Sequence, residues 1–305
     1  MSSIVHPLSA AALFNLSGWV AVITGGGTGV GLMMAKTLAA NGAKVYITGR
    51  REDVLKTSAD AHGSREALGP QGGSIVPLVM DVTSKDSIKA AVQQVGDQEG
   101  HVDVLINNAG VWSGRASARP DAGVEAYAKS LFDDLTEENF HKAFETNCAA
   151  MYFVTAAFLP LLVKAAEGPN KKPGNVINNT SVSGSLRITQ NGQFPYNASK
   201  AAANHLTRQL ANDFHHDNIR VRVNGFALGM FPSEMTLGTS NEQNESTYDV
   251  EQFRTGMKAY GVNLERMGTA QELGSTILNI ATNDYIWGNI ITVDGGWVLS
   301  APGNF

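Results

Sequence analysis

Tyr196 and Lys200 are four residues apart in the segment YNASK (196–200). Residues i and i+4 of a helix share one face, so a helix here would bring both side chains to one site. A free tyrosine has a pKa of about 10, and an adjacent ammonium group lowers this pKa because it favours the phenolate. The pair could therefore give a proton to a carbonyl oxygen.

Two serines upstream could serve the same site. Ser181 and Ser183 belong to the stretch NNTSVSG (178–184), which follows a run of β-branched residues. If that run is a strand, both hydroxyls lie at the carboxyl edge of the sheet, where they could hydrogen-bond a substrate oxygen. We favour Ser181 for this role, with Ser183 as the competing candidate.

A glycine-rich stretch, TGGGTGVG (24–31), follows the first strand-like run and leads directly into a helical pattern. Glycines here let the backbone approach a pyrophosphate, which binds the exposed N–H groups at the helix start. The spacing is TGxxxGxG rather than the strict GxGxxG, and a flexible loop is the alternative. The strand before it and the helix after it favour a nucleotide-binding loop.

The second strand-like run ends in TGRR (48–51). NAD-binding sites usually carry an Asp or Glu at this point to hold the ribose 2′-hydroxyl. That acid is missing, and Arg50 and Arg51 follow instead, which suits a bound 2′-phosphate. The sequence thus favours NADPH over NADH, and a solvated helix start is the alternative role of the two arginines.

These segments must be positioned by the elements around them. Short β-branched runs alternate with longer helical patterns, and several runs are nearly continuous in Val and Ile, as in a parallel sheet buried on both faces. We predict an α/β fold with a single domain (1–305): a Rossmann-type, doubly wound, mainly parallel sheet that binds ligands at the carboxyl ends of its strands. The seven predicted strands are Val20–Thr24, Lys44–Thr48, Ile75–Met80, Val104–Asn107, Val176–Asn178, Val221–Gly225 and Asn289–Val293. The predicted helices include Gly31–Ala40, Ser84–Val95, Glu137–Ala166, Ala198–Phe214 and Ala270–Ala281.

Three segments fit this alternation poorly, namely residues 111–135, 167–174 and 228–263. Long irregular stretches in compact domains are usually functional or disordered. We predict that residues 228–263 form a substrate lid and that residues 1–16 are an N-terminal extension. Large apolar side chains near the lid could form a substrate wall or belong to the core. They are Phe226, Met230, Phe231, Met235, Met257 and, further upstream, Trp112.

Composition limits the classes of function. The chain has 305 residues, one cysteine and a net charge of −5, which argues against a disulfide scaffold and a nucleic-acid-binding surface. The longest apolar run, residues 149–163, contains Pro160 and is shorter than the ~18 residues of a membrane span. His215 and His216 lack companion ligands at metal-binding spacing. We expect a cytoplasmic protein with no metal and with no membrane or nucleic-acid partner.

Together these stretches resemble the short-chain dehydrogenase/reductase family, and the resemblance covers about residues 17–300. The landmarks occur in the family's order and spacing, which makes them specific as a set. They are TGGGTGVG (24–31), Asp81-Val82, NNAG (107–110), Asn147, Ser181, YNASK (196–200), Arg222-Val223-Asn224 and VDGG (293–296).

The resemblance implies a role for each reacting group. Tyr196 would donate a proton to the carbonyl oxygen during reduction, and Ser181 would orient that carbonyl. Lys200 would hold the nicotinamide ribose and lower the tyrosine pKa, while Asn147 would anchor a water that links Lys200 to solvent. The predicted cofactor-binding residues are Gly25, Thr28, Gly29, Val30, Gly31, Arg50, Arg51, Asp81, Val82, Asn108, Ala109, Gly110, Tyr196, Lys200 and Gly229.

The sequence departs from the family pattern in two places. Ala227-Leu228-Gly229 replaces the usual Pro-Gly after the sixth strand, and losing the fixed φ of proline would reshape the first turn of the lid. The interval from Ser181 to Tyr196 is slightly longer than usual, which keeps Ser183 in competition. Neither change removes a reacting group.

The leading hypothesis is an NADPH-dependent reductase of a 3-oxoacyl, polyketide-like or other secondary-metabolite ketone. The alternatives are a sugar or polyol dehydrogenase of the same family and a non-redox cofactor-binding scaffold or sensor. Residues 231–236 (FPSEMT) resemble a stretch of gluconate-dehydrogenase-like and rhamnolipid-type ketoacyl reductases. The family also implies a homo-oligomer, a tetramer or dimer, formed through the long fourth and fifth helices.

Overall fold

The structure, a computed structural model, describes residues 6–259 and 262–300. Within these residues seven strands form one sheet in the order β3-β2-β1-β4-β5-β6-β7, and every neighbouring pair is parallel. The strands are β1 (Val20–Thr24), β2 (Lys44–Gly49), β3 (Ser74–Val79), β4 (Val104–Asn107), β5 (Asn175–Asn179), β6 (Arg222–Leu228) and β7 (Ile290–Val293). The predicted Rossmann-type fold is confirmed.

Helices connect the strands and cover both faces of the sheet. In the described part of the chain they are α1 (Ala10–Leu13), α2 (Gly29–Ala40), α3 (Glu52–His62), α4 (Arg65–Leu68), α5 (Lys85–Glu99), α6 (Val124–Asp133), α7 (Glu137–Phe144), α8 (Ala150–Val163), α9 (Phe194–Phe214), α10 (Glu234–Leu237), α11 (Val250–Ala259), α12 (Ala270–Thr282) and α13 (Trp297–Ser300). Short 3-10 turns lie at Pro120–Ala122, Lys164–Glu167 and Val182–Gly184.

The apolar core lies on both faces of the sheet, as the nearly continuous Val and Ile runs predicted. β1 is buried along its whole length. On one face Ile23 belongs to the same apolar cluster as Leu38 of α2 and Ile277 of α12. On the other face Val22 clusters with Phe158 of α8. With both faces covered, a ligand can reach the central strands at their ends.

The predicted helix 137–166 is divided in the structure. α7 and α8 are joined by a π-helical turn, Glu145–Ala149, and the last residues form a 3-10 turn. Pro160 lies inside α8 and removes one backbone donor there. Taken as one helical stretch, Glu137–Glu167 is long and apolar enough to cross a membrane by length and composition. Because Phe158 and Leu162 of α8 are fully buried against the sheet, we interpret it as a core helix.

Two of the three segments predicted to be irregular contain helices. Residues 111–135 include α6, and the predicted lid, of which residues 260 and 261 lie outside the described part, includes α10 and α11. The segment before α6 is fastened by Asp134, whose carboxylate accepts hydrogen bonds from Ser117 N at 2.8 Å and from Ser130 Oγ at 2.6 Å. A further hydrogen bond, from Ser117 Oγ at 2.5 Å, contributes most, and together these bonds hold the pKa of Asp134 down at about 2. Hydrogen bonds of this kind, between a side chain and a loop, leave no periodic pattern in the sequence.

Arg222, one of the family landmarks, closes the end of α12. Its side chain is fully buried and donates to the carbonyl oxygens of Ile280 at 2.9 Å and Ala281 at 2.6 Å. Helix C-termini leave carbonyl groups without intrahelical donors, and a guanidinium supplies several donors at once. The arginine therefore anchors α12 to β6 and has a structural role away from the cleft.

Candidate active site

A cleft of about 520 Å³ opens at the carboxyl ends of the strands, where the fold class predicts ligands. The structure brings together nearly the whole predicted site in this cleft. The predicted residues that line it are Gly25, Thr28, Gly29, Val30, Gly31, Arg50, Arg51, Asp81, Val82, Asn108, Ala109, Gly110, Ser181, Tyr196, Lys200 and Gly229. Asn147 lies behind it, at the edge of a second, water-sized cavity.

The glycine-rich loop between β1 and α2 forms one wall of the cleft. Gly25 has a φ of +61°, a conformation that L side chains rarely adopt. A Cβ on Gly31 would lie 2.1 Å from the Gly25 carbonyl oxygen, so only glycine allows the turn and the helix to pack this closely. α2 begins at Gly29, after Thr28 in an extended conformation. Its first N–H groups are the donors that a pyrophosphate would use.

The end of β2 carries the two predicted arginines into the same cleft. Opposite them, Asp81 Oδ1 accepts hydrogen bonds from Thr83 N at 2.9 Å and Thr83 Oγ1 at 2.7 Å. The backbone bond from Thr83 is the main reason that the pKa of Asp81 is lowered, with a contribution from the nearby Arg50 charge. The Arg51 guanidinium is paired with Glu234 at 2.8 Å. This corner thus combines two cations with two carboxylates.

The catalytic candidates meet at the end of β5 and the start of α9. Ser181 caps the short Val182–Gly184 turn, because its Oγ accepts a hydrogen bond from Ser183 N at 3.1 Å. The Ser181 side chain neighbours the Tyr196 phenol closely enough to lower its pKa. Ser183 is buried and does not line the cleft, so among the described residues the geometry favours Ser181 over Ser183 as the cleft-facing hydroxyl.

α9 begins earlier than predicted, at Phe194, with Pro195 in its first turn. Proline is pre-organised for a helix start and lacks the N–H that would be unpaired there. Tyr196 therefore belongs to the first helical turn and Lys200 to the next, which places both on the cleft as the i, i+4 spacing predicted. The Lys200 Nζ atom lies 5.8 Å from the centre of the Tyr196 ring.

Burial shifts the pKa values of both groups toward their neutral forms. Lys200 is 4% exposed, and desolvation lowers its pKa to about 8. Desolvation raises the pKa of the Tyr196 phenol, whereas the hydrogen bond with Ser181 lowers it. The predicted lowering of the tyrosine pKa by the Lys200 ammonium group stays a prediction.

Asn147 sits in the π-helical turn, where its side chain fixes neighbouring backbone. Its Oδ1 accepts from Val111 N at 2.8 Å, and its Nδ2 donates to Val111 O at 2.9 Å and Ser199 Oγ at 3.0 Å. Asn147 thereby connects the segment after β4 with α9, where its partner Ser199 is the residue before Lys200. Its predicted part in a proton relay stays a prediction.

Sequence reasoning missed two polar residues of the cleft. The backbone carbonyl oxygen of Asn179 accepts a hydrogen bond from Lys200 Nζ at 2.9 Å. The side-chain Nδ2 of Asn179 donates to Asn108 Oδ1 at 2.9 Å. Asn179 is the last residue of β5, and this position at the carboxyl edge of the sheet could have identified it as a cleft residue. Glu234 reaches the cleft from the lid, and nothing in local spacing connects it with Arg51.

A nicotinamide dinucleotide fits the donors and acceptors of the cleft. Among the described residues, the buried Thr48 Oγ1 and Asn179 Oδ1 atoms have no hydrogen-bond partner, and both residues line the cleft. Buried polar atoms are normally paired, and ribose hydroxyl groups would supply partners to them.

The predicted apolar wall is divided between core and cleft. Phe226 is fully buried in the core, whereas Phe231 and Met235 line the cleft. Met257 of α11 packs in one cluster with Val182, next to Ser181. Trp112 does not line the cleft, and its Nε1 donates to Gln193 Oε1 at 3.1 Å. Leu228, in place of the usual proline, continues β6 and pairs with Val293.

The fold and the cleft are those of a dinucleotide-binding oxidoreductase. The sequence model of the short chain dehydrogenase family matches residues 19–244. The chain is 36% identical to the short-chain dehydrogenase/reductase PhomF of Diaporthe leptostromiformis, with 100% of this chain and 99% of the relative covered. The chain belongs to the short-chain dehydrogenase/reductase family and is an oxidoreductase whose family binds NAD(P).

Two further similarities are to proteins of Pseudomonas aeruginosa. The chain is 29% identical to the rhamnolipids biosynthesis 3-oxoacyl-[acyl-carrier-protein] reductase of Pseudomonas aeruginosa, covering 94% of this chain and 98% of the relative. A solved structure described as a Pseudomonas aeruginosa RhlG/NADP active-site complex superposes with a TM-score of 0.75 at 27% identity, covering 96% and 99% of the two chains. The first of them agrees with the resemblance to rhamnolipid-type ketoacyl reductases drawn from residues 231–236.

Proposed function

We propose that this protein is an NADPH-dependent reductase that converts a ketone to a secondary alcohol. The observation that carries the proposal is the convergence of Ser181, Tyr196 and Lys200 on one end of a cleft whose other end holds Arg50 and Arg51. The first three are the groups that carbonyl reduction needs, and the two arginines suit a 2′-phosphate. The described residues include no group of three or more His, Cys, Asp or Glu able to hold a metal ion.

The bound cofactor supplies the hydride, and the protein supplies orientation and acid catalysis. The Ser181 hydroxyl hydrogen-bonds the substrate carbonyl oxygen and sets it beside the Tyr196 phenol, whose pKa Ser181 lowers. Tyr196 then gives its proton to that oxygen. Lys200, one helical turn further, stabilises the resulting phenolate by its charge, since an opposite charge nearby favours the ionised form.

NADPH is the cofactor that the arginine corner suits best. A guanidinium presents planar pairs of donors that match phosphate oxygens, and two guanidinium groups follow directly after β2. The RhlG structure described with NADP supports the same choice. NADH would meet neither an Asp nor a Glu at the end of β2 itself.

The substrate is proposed to be a bulky carbonyl compound of the 3-oxoacyl or polyketide type. Two of the segments predicted to be irregular, 111–135 and 228–263, flank the catalytic end of the cleft. The segment after β4 is joined to the loop before Tyr196 by Ala116 N donating to Gly192 O at 3.1 Å, and α11 packs against the turn that follows Ser181. Both can contact a substrate larger than a simple sugar. A sugar or polyol dehydrogenase is the second candidate within the family.

A homo-oligomer, a single-domain subunit and a cytoplasmic location complete the proposal. Four aromatic side chains along α7 and α8 are between 38% and 45% exposed, and they are candidates for a subunit interface because exposed apolar patches mark such sites. They are Phe140, Phe144, Tyr152 and Phe153. Analytical ultracentrifugation of the full chain tests the oligomeric state, and a monomer at micromolar concentration would contradict it.

A carbonyl panel tests the activity. Purified protein is mixed with NADPH and, in separate reactions, with 3-oxoacyl thioesters, polyketide-like aromatic ketones and simple ketoses, and the loss of NADPH absorbance is followed. We expect turnover with the first or second group. Tight NADPH binding without turnover of any compound, in either direction, would instead support a sensor or scaffold. Preferential turnover of ketoses would support the sugar dehydrogenase.

A further inference from the structure

The lid brings a carboxylate into the corner where the adenosine ribose would bind. Glu234 is the first residue of α10, and its Oε2 atom lies 2.8 Å from the Arg51 guanidinium. Its other oxygen, Oε1, accepts a hydrogen bond from Ser240 Oγ at 2.8 Å. Glu234 and Arg51 both line the cleft. The acid that the end of β2 lacks is thus supplied from a segment far along the chain.

The position of Glu234 is set by the lid and does not depend on its charge alone. A capping box between Ser233 and Thr236 fixes the start of α10. Ten residues after Glu234, the buried Asn244 donates to Ser58 Oγ of α3 at 2.8 Å. His62 Nε2 donates to the carbonyl oxygen of Gln243 at 2.9 Å. These contacts hold residues 233–244 over the adenosine half of the cleft rather than over Tyr196.

A carboxylate at this point affects the two cofactors differently. A 2′-phosphate must share the Arg51 guanidinium with Glu234 or displace it, and two negative charges at one cation repel each other. A ribose 2′-hydroxyl carries no charge and can donate a hydrogen bond to a carboxylate, as in NAD-binding sites with an acid at this point. Glu234 therefore opposes the preference that the arginines create.

We propose that Glu234 is a specificity-determining residue that narrows the preference of this enzyme for NADPH over NADH. The inference rests on the proposed function, in that Arg50 and Arg51 are taken to bind the 2′-phosphate. It goes beyond that function by assigning a residue of the lid to cofactor choice. It also predicts that the enzyme binds NADH measurably in its natural form.

The test compares Glu234→Gln with the natural protein by isothermal titration calorimetry. Glutamine keeps the size of the side chain and an acceptor for Ser240 but carries no charge. The ligands are NADPH, NADH and the two adenosine fragments 2′,5′-ADP and 5′-AMP, so that no catalytic step enters the result. We expect NADPH and 2′,5′-ADP to bind roughly three- to tenfold more tightly, with NADH and 5′-AMP unchanged or weaker. The gain should shrink at high ionic strength because exposed charges are screened.

Glu242→Gln is the matched control, because Glu242 is an exposed carboxylate of the same lid and removing it changes the net charge equally. It should leave all four affinities within about twofold, as expected for a distant screened charge. An unchanged ratio of NADPH to NADH affinity in Glu234→Gln, or weaker binding of 2′,5′-ADP, would overturn the inference. Weaker binding would mean that Glu234 holds Arg51 in place for the phosphate.

Arg51→Ala separates this inference from the proposed function. If that variant loses affinity for NADPH and NADH equally, the assignment of the 2′-phosphate to the arginines fails. If it loses NADPH affinity selectively while Glu234→Gln changes no ratio, the assignment stands and only the role of Glu234 fails. Melting curves of each variant without ligand show whether the lid and the fold are intact.

Discussion

The two ends of the cleft handle charge in opposite ways. At the catalytic end, Lys200 is 4% exposed, and its nearest hydrogen-bonding partner is a neutral carbonyl group, that of Asn179. At the adenosine end, the Arg51 side chain is 58% exposed and pairs with the Glu234 carboxylate. Burial therefore sets the pKa of Lys200 at the catalytic end. At the adenosine end, the solvent-exposed ion pair with Glu234 affects how Arg51 can bind a phosphate.

The two ends of the cleft also differ in which segments of the chain form them. The catalytic end is made from the end of β5 and the first turns of α9, which are close in the sequence. The adenosine end joins the end of β2 to a lid segment that follows β6. We expect substitutions at the buried end to have larger effects than substitutions at the exposed end, because solvent weakens the charge interactions there.

The largest effect is expected for Tyr196→Phe. Removing the phenolic hydroxyl removes the general acid, which contributes about 10²- to 10⁴-fold to a rate. We expect kcat for ketone reduction to fall by about this factor, while the affinity for NADPH, measured by fluorescence titration, changes little. Tyr285→Phe, at a tyrosine that is 98% exposed, is the matched control. Near-normal turnover of Tyr196→Phe would refute its role as the acid.

Ser181→Ala tests the hydroxyl that orients the carbonyl. Loss of a single donor to a reacting oxygen costs on the order of 10²-fold in kcat. Ser183→Ala should stay within a few-fold of the natural enzyme, because the Ser183 backbone donates to Ser181 but its side chain does not line the cleft. Steady-state kinetics of both variants decide the matter. The reverse ranking would transfer the role to Ser183.

Lys200→Met tests the cost of burying a charge at the catalytic end. The pKa of Lys200 falls from 10.5 to about 8 on burial. At pH 7 the buried side chain is therefore still protonated, and the desolvation of its charge lowers the stability of the folded state. Between pH 8 and 10.5 the folded protein releases this proton before the unfolded chain does, and stability at this site rises with pH. Without cofactor, we expect Lys200→Met to raise the free energy of unfolding by about 3 kcal/mol at pH 7, and by less at pH 9.5.

Urea unfolding at both pH values measures this difference, and Lys89→Met serves as the control. The Lys89 side chain is 76% exposed, so its replacement should change stability little at either pH. A Lys200→Met protein that is less stable than the natural one at pH 7 would show that the hydrogen bond to Asn179 outweighs the desolvation of the ammonium group.

The smallest effect is expected at the exposed end. Replacing Arg50 and Arg51 together by alanine should weaken NADPH binding by roughly tenfold, as charge-assisted hydrogen bonds in a solvated site contribute modestly. NADH binding should change by less than about threefold. Calorimetric titration at two salt concentrations measures both. Equal losses for the two cofactors would remove the argument for NADPH.

Much of the fold and the catalytic end could be predicted from the sequence because their signals are local. Strand periods, the glycine loop and the i, i+4 pair of Tyr196 and Lys200 each lie within a few residues. The predicted strands overlap the observed ones, and the largest shift is at β6, which extends to Leu228 rather than ending at Gly225. There, pairing with β7 continues a strand whose last residues lack the β-branched pattern.

The sequence by itself determined the family, the sheet and the groups that could do the chemistry, because these depend on short patterns that the backbone geometry repeats. Only the tertiary structure decided which serine faces the cleft and which carboxylate stands beside Arg51. It also decided that burial, and not pairing with an acid, sets the pKa of Lys200. Those outcomes depend on solvent exposure and on contacts between distant segments, and neither is recorded in the spacing of residues along the chain.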